Sequence, residues 1–192
     1  MISRTLKDFE NRLLSKLSFS PFSSEDCTIY KNNDIPELGY FIKYTREGYY
    51  DFVIGDYTIP TNFSISFNHN EELIRFGTIY TGETRFEIED NSISSFSPSS
   101  FLVTRKKTKG TQTWKKGQHF HGVEITIYKK YFDEIINPNF PKTIDFNNFI
   151  NNYTYRYLPL EINSIIQVLR SMAEAQTLTP LYLESKILES IA

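Results

Sequence analysis

Two of the chain's three histidines, His119 and His121, lie one residue apart, with Glu124 three positions further on. Imidazole nitrogens and a carboxylate oxygen suit a first-row transition metal. At the mouth of a β structure such a group is a metal or ligand site, or else the polar rim of a core. The stretch that carries it, WKKGQHFHGVEITIY from Trp114 to Tyr128, decides part of the matter by its alternation. From His119 the odd positions run His119, His121, Val123, Ile125, Ile127, and the even ones run Phe120, Gly122, Glu124, Thr126, Tyr128, the pattern of a half-buried strand. Both histidines therefore face one way and Glu124 the other. That weakens a metal site and leaves the imidazoles as ligand contacts or as rim.

The elements that must position these residues are mostly strands. Aromatic residues make up 16% of the chain, with 16 Phe and 13 Tyr against one Trp, and flat rings pack well on a pleated surface. Short β-branched and aromatic runs predict strands near 27–31, 39–45, 49–59, 63–69, 72–81, 83–89, 92–95, 99–105, 111–116 and 119–128. Turn signals separate them, among them Gly48, Asp90-Asn91, Pro98 and Gly110, and Thr81-Gly82 is the best hairpin candidate. So many short strands argue for a sandwich or barrel. Phe63, Ile65, Phe67 and His69 share one strand face, Ile74, Phe76, Thr78 and Tyr80 another, and Phe86 with Ile88 a third. Polar groups on these ring-rich faces favour a pocket over a filled interior. The candidate ligand contacts are Phe67, Phe76, Thr78, Tyr80, Phe86, Trp114, His119 and His121.

Helices flank the strands. TLKDFENRLLSKL (5–17) spaces Leu6, Phe9, Leu13 and Leu17 as an amphipathic helix, and the Ser-rich stretch Ser18 to Asp26, with Pro21, reads as a linker. After Tyr128 the period changes. A short helix is expected up to Pro138, a loop over 138–158 with a helical turn near 145–151, then helices from Pro159 to about Gln176 and from Thr179 onward. The domain reading is helix and linker over 1–20, a barrel over 21–128 and a helical region over 129–192. Ile162, Ile166, Leu169, Leu183 and Ile187 lie on apolar stripes that look wide for covering a barrel; burial within the chain and packing against a second subunit stand about even, and on the second reading they are the candidate dimerisation residues. The final helix has no stop signal before Ala192, as expected of a segment of a longer protein.

Composition bounds the function. With 192 residues, 40% of them hydrophobic and 23% charged, the chain suits one globular domain. A net charge of −2 argues against a nucleic-acid surface, since phosphate neutralisation needs clustered cations. The basic run RKKTK (105–109) with Lys115 and Lys116 reads as a solvated hairpin tip. One cysteine, Cys27, cannot form an internal disulfide, and neither a signal peptide nor a membrane span is visible, so a cytoplasmic location is expected.

Five stretches together resemble the N-terminal sensing domain of AraC-type bacterial transcription regulators, nearest the branch of siderophore-responsive activators. They are PELGYFIKYTREGYYDFVIGDYTI (36–59), LIRFGTIYTGE (73–83), FSPSSFLV (96–103), GVEITIYKKYFDEI (122–135) and TPLYLESKILESIA (179–192), the last being the most specific. Ser99 stands where that family usually has a glycine. The resemblance implies a mainly β fold: a cupin-like antiparallel barrel that binds a small effector, followed by helices that commonly mediate dimerisation. It also implies a C-terminal domain with two helix-turn-helix motifs, which these 192 residues do not contain. The expected protein is thus a non-enzymatic sensor without a cofactor or metal. Its partners would be a partly apolar effector, a second copy of itself and, through that further domain only, DNA. A metal-dependent cupin enzyme using His119 and His121 is the rival reading, and a structural dimerisation module with a filled barrel is the third.

Overall fold

The computed structural model describes residues 2–23, 26–82, 84–88, 93–96, 99–105, 108–140, 146–147 and 158–192, with the backbone alone at 23, 84–88, 93–96 and 103–105. The turns expected at Asp90-Asn91 and Pro98, the middle of the basic run and most of the 138–158 loop lie outside the described residues.

Helix α1 (Leu6–Leu17) forms as its spacing predicts. It is capped by Thr5, whose hydroxyl accepts the Asp8 N–H at 3.1 Å. Eleven strands follow among the described residues: β1 (Ser20–Ser23), β2 (Thr28–Lys31), β3 (Gly39–Arg46), β4 (Tyr50–Thr58), β5 (Phe63–His69), β6 (Leu73–Thr81), β7 (Thr84–Ile88), β8 (Ile93–Phe96), β9 (Ser99–Arg105), β10 (Thr108–Trp114) and β11 (His119–Tyr128). Ten correspond to predicted strands. The eleventh, β1, occupies the stretch read as a linker and pairs antiparallel with β2 as the edge of its sheet. Pro21 is tolerated there because an edge strand can spare an N–H.

The strands form two antiparallel sheets, in the orders β1-β2-β3-β4-β11-β6-β9 and β5-β10-β7-β8. This is the expected mainly β fold with C-terminal helices, built as two antiparallel sheets rather than one closed barrel among the described residues. Thr81-Gly82 is not a hairpin: β6 pairs with β11 and β9, while β7 pairs with β10 and β8. Gly82, at φ +104°, lets the chain cross from the larger sheet to the smaller.

Helix α2 (Lys129–Tyr131) widens into a π turn (Phe132–Ile136) and ends in a last turn (Asn137–Asn139). The helix expected to stop before Pro138 thus runs one residue past it, with Pro138 in its last turn. Helices α3 (Leu160–Glu174) and α4 (Pro180–Ile191) complete the chain.

The larger sheet is buried on both faces. On its outer face Phe52, Ile54, Ile74, Ile125 and Ile127 pack against Phe132, Ile166, Leu169 and Leu183. On its inner face Phe41, Val53 and Tyr57 pack with Ile65 and Trp114 of the smaller sheet and with Leu13 and Leu17 of α1. Strand β4 is accordingly buried at almost every position.

Candidate ligand cavity between the sheets

The two sheets and α1 line a partly open cavity of about 120 Å³. Helix α1 contributes Leu6, Phe9, Glu10 and Leu13. The larger sheet supplies Phe41, Val53, Tyr57, Arg75, Ile79, Phe120 and Glu124, and the smaller sheet supplies Phe67, His69, Gln112 and Trp114. Two glycines shape one wall. Gly55 and Gly122 are partners across β4 and β11, and a Cβ on Gly122 would lie 2.9 Å from the Phe120 ring, one on Gly55 2.8 Å from the Tyr57 ring. Without those Cβ atoms the Tyr57 and Phe120 rings stack over the glycines, 5.3 Å apart. The first residues of the chain are fastened to the smaller sheet: Ser3 exchanges backbone hydrogen bonds with Ser66 and Asn68, and its hydroxyl lies 3.1 Å from His69 Nε2.

The apolar walls hold a buried set of charges. Lys43 Nζ donates to Glu10 and lies 3.3 Å from Asp51 Oδ1. Asp51 also accepts from the Thr45 hydroxyl at 2.8 Å and the Tyr128 hydroxyl at 3.1 Å. Arg75 donates to Glu124. Three carboxylates therefore face two cations. Burial pushes the Glu10 carboxyl up to about 7; Lys43 opposes that shift, and the charges of Asp51 and Glu124 add to it. Burial works against the Arg75 cation, yet the Glu124 carboxylate beside it holds its pKa above the usual value. Two buried donors in the lining have no acceptor, the indole N–H of Trp114 and the Nε–H of Arg75. Left unmet, each such group costs about 1–3 kcal/mol.

Of the residues singled out in the sequence, the structure brings Phe67 and Trp114 to the cavity and places the others elsewhere. Phe76, Thr78, Tyr80 and His121 lie on the outer face of the larger sheet, beneath α3. There Asn163 Oδ1 accepts from the Thr78 hydroxyl at 3.2 Å and the Ser100 hydroxyl at 2.7 Å, and the Tyr80 ring packs 4.6 Å from the Arg170 guanidinium and 4.9 Å from the His121 ring. His119 is half exposed, with Nε2 2.7 Å from Asp56 Oδ1. The Phe86 side chain lies outside the described residues. The alternation of β11 was read correctly, but the apolar odd face packs under the helices, and the even face, with Phe120, Gly122 and Glu124, lines the cavity. Ile166, Leu169, Leu183 and Ile187 are at most 1% exposed within the chain, and Ile162 packs partly buried beside them. Among the described residues no three His, Cys, Asp or Glu side chains converge as a metal site requires.

Sequence reasoning passed over Glu10, Lys43, Arg75 and Gln112. A signal existed for two of them. Glu10 interrupts the apolar stripe of α1, and Arg75, between Ile74 and Phe76, is the one charged residue of β6.

Residues 51–192 match the family described as the regulatory protein PchR N-terminal domain. The chain belongs to that family. The PchR N-terminal domain match runs from β4 to α4 and takes in most of the cavity wall, but it leaves out α1 and β1 to β3. No curated protein matches the chain. Among solved structures, the Schizosaccharomyces pombe Cnp3 cupin domain is similar at 10% identity and a TM-score of 0.35, over 52% of this chain and 69% of that one. The Clostridium difficile EutQ protein is similar at 9% identity and 0.31, over 59% and 72%. A cupin-2 domain of Rhodospirillum rubrum is similar at 16% and 0.33, over 57% and 77%. Likeness at this level says nothing about function. No helix among the described residues is long and apolar enough to cross a membrane.

Proposed function

We propose that this PchR-type domain senses a small effector in the cavity between its sheets and passes the change to α3 and α4. The observation that carries the reading is the shared wall. Strands β6 and β11 present Arg75 and Glu124 to the cavity on one face, and Thr78, Tyr80 and His121 to Asn163 and Arg170 of α3 on the other. A ligand that prefers one position of that wall shifts the equilibrium between arrangements of α3, by as much as its affinity for the two differs. The output would be transcription control through a DNA-binding domain outside these 192 residues, with two chains paired. The candidate dimerisation stripe is consumed within the chain, so pairing would use exposed apolar residues such as Leu160 or Leu181, each 81% exposed.

The test is a thermal-stability screen of the 192-residue chain against a library of small polar and aromatic compounds. A ligand bound only by the folded chain raises its Tm. Compounds that raise Tm and compete with one another support the reading; a library that leaves Tm unchanged throughout overturns it.

A further inference from the structure

We infer that the cavity takes an uncharged, single-ring compound bearing a carbonyl or similar acceptor oxygen. This rests on the reading of the cavity as the effector site and adds the chemistry of the effector. Size sets the first limit. At about 120 Å³ the cavity is close to the engineered apolar cavity of about 150 Å³ that holds benzene in another protein. One ring fills it, and a larger conjugate would have to extend out through its open side. The walls set the second: Phe9, Phe41, Phe67 and Phe120 offer ring faces and edges to a flat apolar body.

The unmet hydrogen-bonding capacity sets the third limit. One oxygen of Glu10 accepts from Lys43 and one of Glu124 from Arg75, while the Trp114 indole N–H and the Arg75 Nε–H are buried without acceptors. Trp114 itself is 2% exposed. What the site lacks is an acceptor. Charge sets the fourth. At pH 8, above the value of about 7 to which burial pushes Glu10, two carboxylates, Glu10 and Glu124, line the cavity against the single cation Arg75, so an anionic ligand meets repulsion and a neutral oxygen does not.

The probes are acetophenone, ethylbenzene of nearly the same shape without the oxygen, and benzoate, each titrated calorimetrically into the 192-residue chain at pH 8. Acetophenone should bind about tenfold more tightly than ethylbenzene, the increment of one good hydrogen bond, and more tightly than benzoate. In Trp114→Phe the preference for acetophenone over ethylbenzene should fall to about twofold or less. Should that variant not fold, the parent chain supplies a second readout. It has one tryptophan, so its single indole N–H resonance should move downfield, the direction of a gained hydrogen bond, with acetophenone and not with ethylbenzene. Ethylbenzene or benzoate binding as well as acetophenone overturns the inference. If none of the three binds but another compound raises Tm in the library screen, the ligand class is wrong and the sensing reading stands; if neither experiment finds a ligand, both fall.

Discussion

Glu10 sits four residues after Leu6 and three before Leu13, in the middle of the stripe that α1 turns inward. Its carboxyl titrates near 7 against an ordinary 4.5, so between those values the folded chain keeps a proton that the unfolded chain gives up. The stability this contributes is complete below about pH 4.5 and is lost as pH rises through about 7, a decline of up to about 3 kcal/mol. Glu10→Gln removes the titration, and Lys43 keeps Asp51 as its partner. Urea denaturation from pH 5 to 8 should therefore show a falling stability in the parent and a flatter profile in the variant; equal slopes would contradict the assignment. The same residue shows what could be read in advance. A charge on an apolar stripe is visible in sequence, but whether it finds a cation depends on β3 and β4 arriving opposite it, which no local pattern states. The placement of the histidines was illegible for another reason. Alternation tells which residues share a face and is silent on which face looks inward when both are buried.

At the scale of elements, positions were more legible than partners. Ten of the strands and the helices α1, α3 and α4 follow from period and turn residues, because those signals are local. The crossing at Gly82 was taken for a hairpin because a Gly between two strands looks alike in both cases. Strand β1 was missed because four residues of Ser, Pro and Phe carry no period. Two substitutions test these elements. A Cβ at Gly77 would lie 2.1 Å from the Val123 carbonyl oxygen, so Gly77→Ala must force β6 and β11 apart. We expect a loss of about 1–3 kcal/mol or more, measured by chemical denaturation. Thr5→Ala deletes the cap of α1 and should cost about 1 kcal/mol, with no change in the pairing of the sheets by far-UV circular dichroism.

At the scale of the whole molecule, the stripe of α3 and α4 closes the outer core and is not a free surface. Leu183 is 1% exposed and Leu181 81% exposed, two residues apart on one helix. Leu183→Ala should cost about 2–5 kcal/mol of stability, and Leu181→Ala within about 0.5 kcal/mol. If Leu183→Ala instead left stability unchanged and lowered the sedimenting mass, that residue would belong to an interface between chains. Breadth of stripe left burial and pairing equally open because the larger sheet offers a second apolar face, and a sequence does not announce how many faces of a sheet need covering.

The double-sided burial of β4, β11 and β6 also has a kinetic meaning. Their amides have no route to solvent by local fraying, since rings lie on one side and helices on the other. Hydrogen exchange in those three strands should occur only when the whole molecule opens, at rates set by global stability, while the edge strand β1 exchanges through small local openings. The partition is thus a gauge: any compound held in the cavity should slow exchange in β4, β11 and β6 together, by the same factor, and leave β1 close to its original rate.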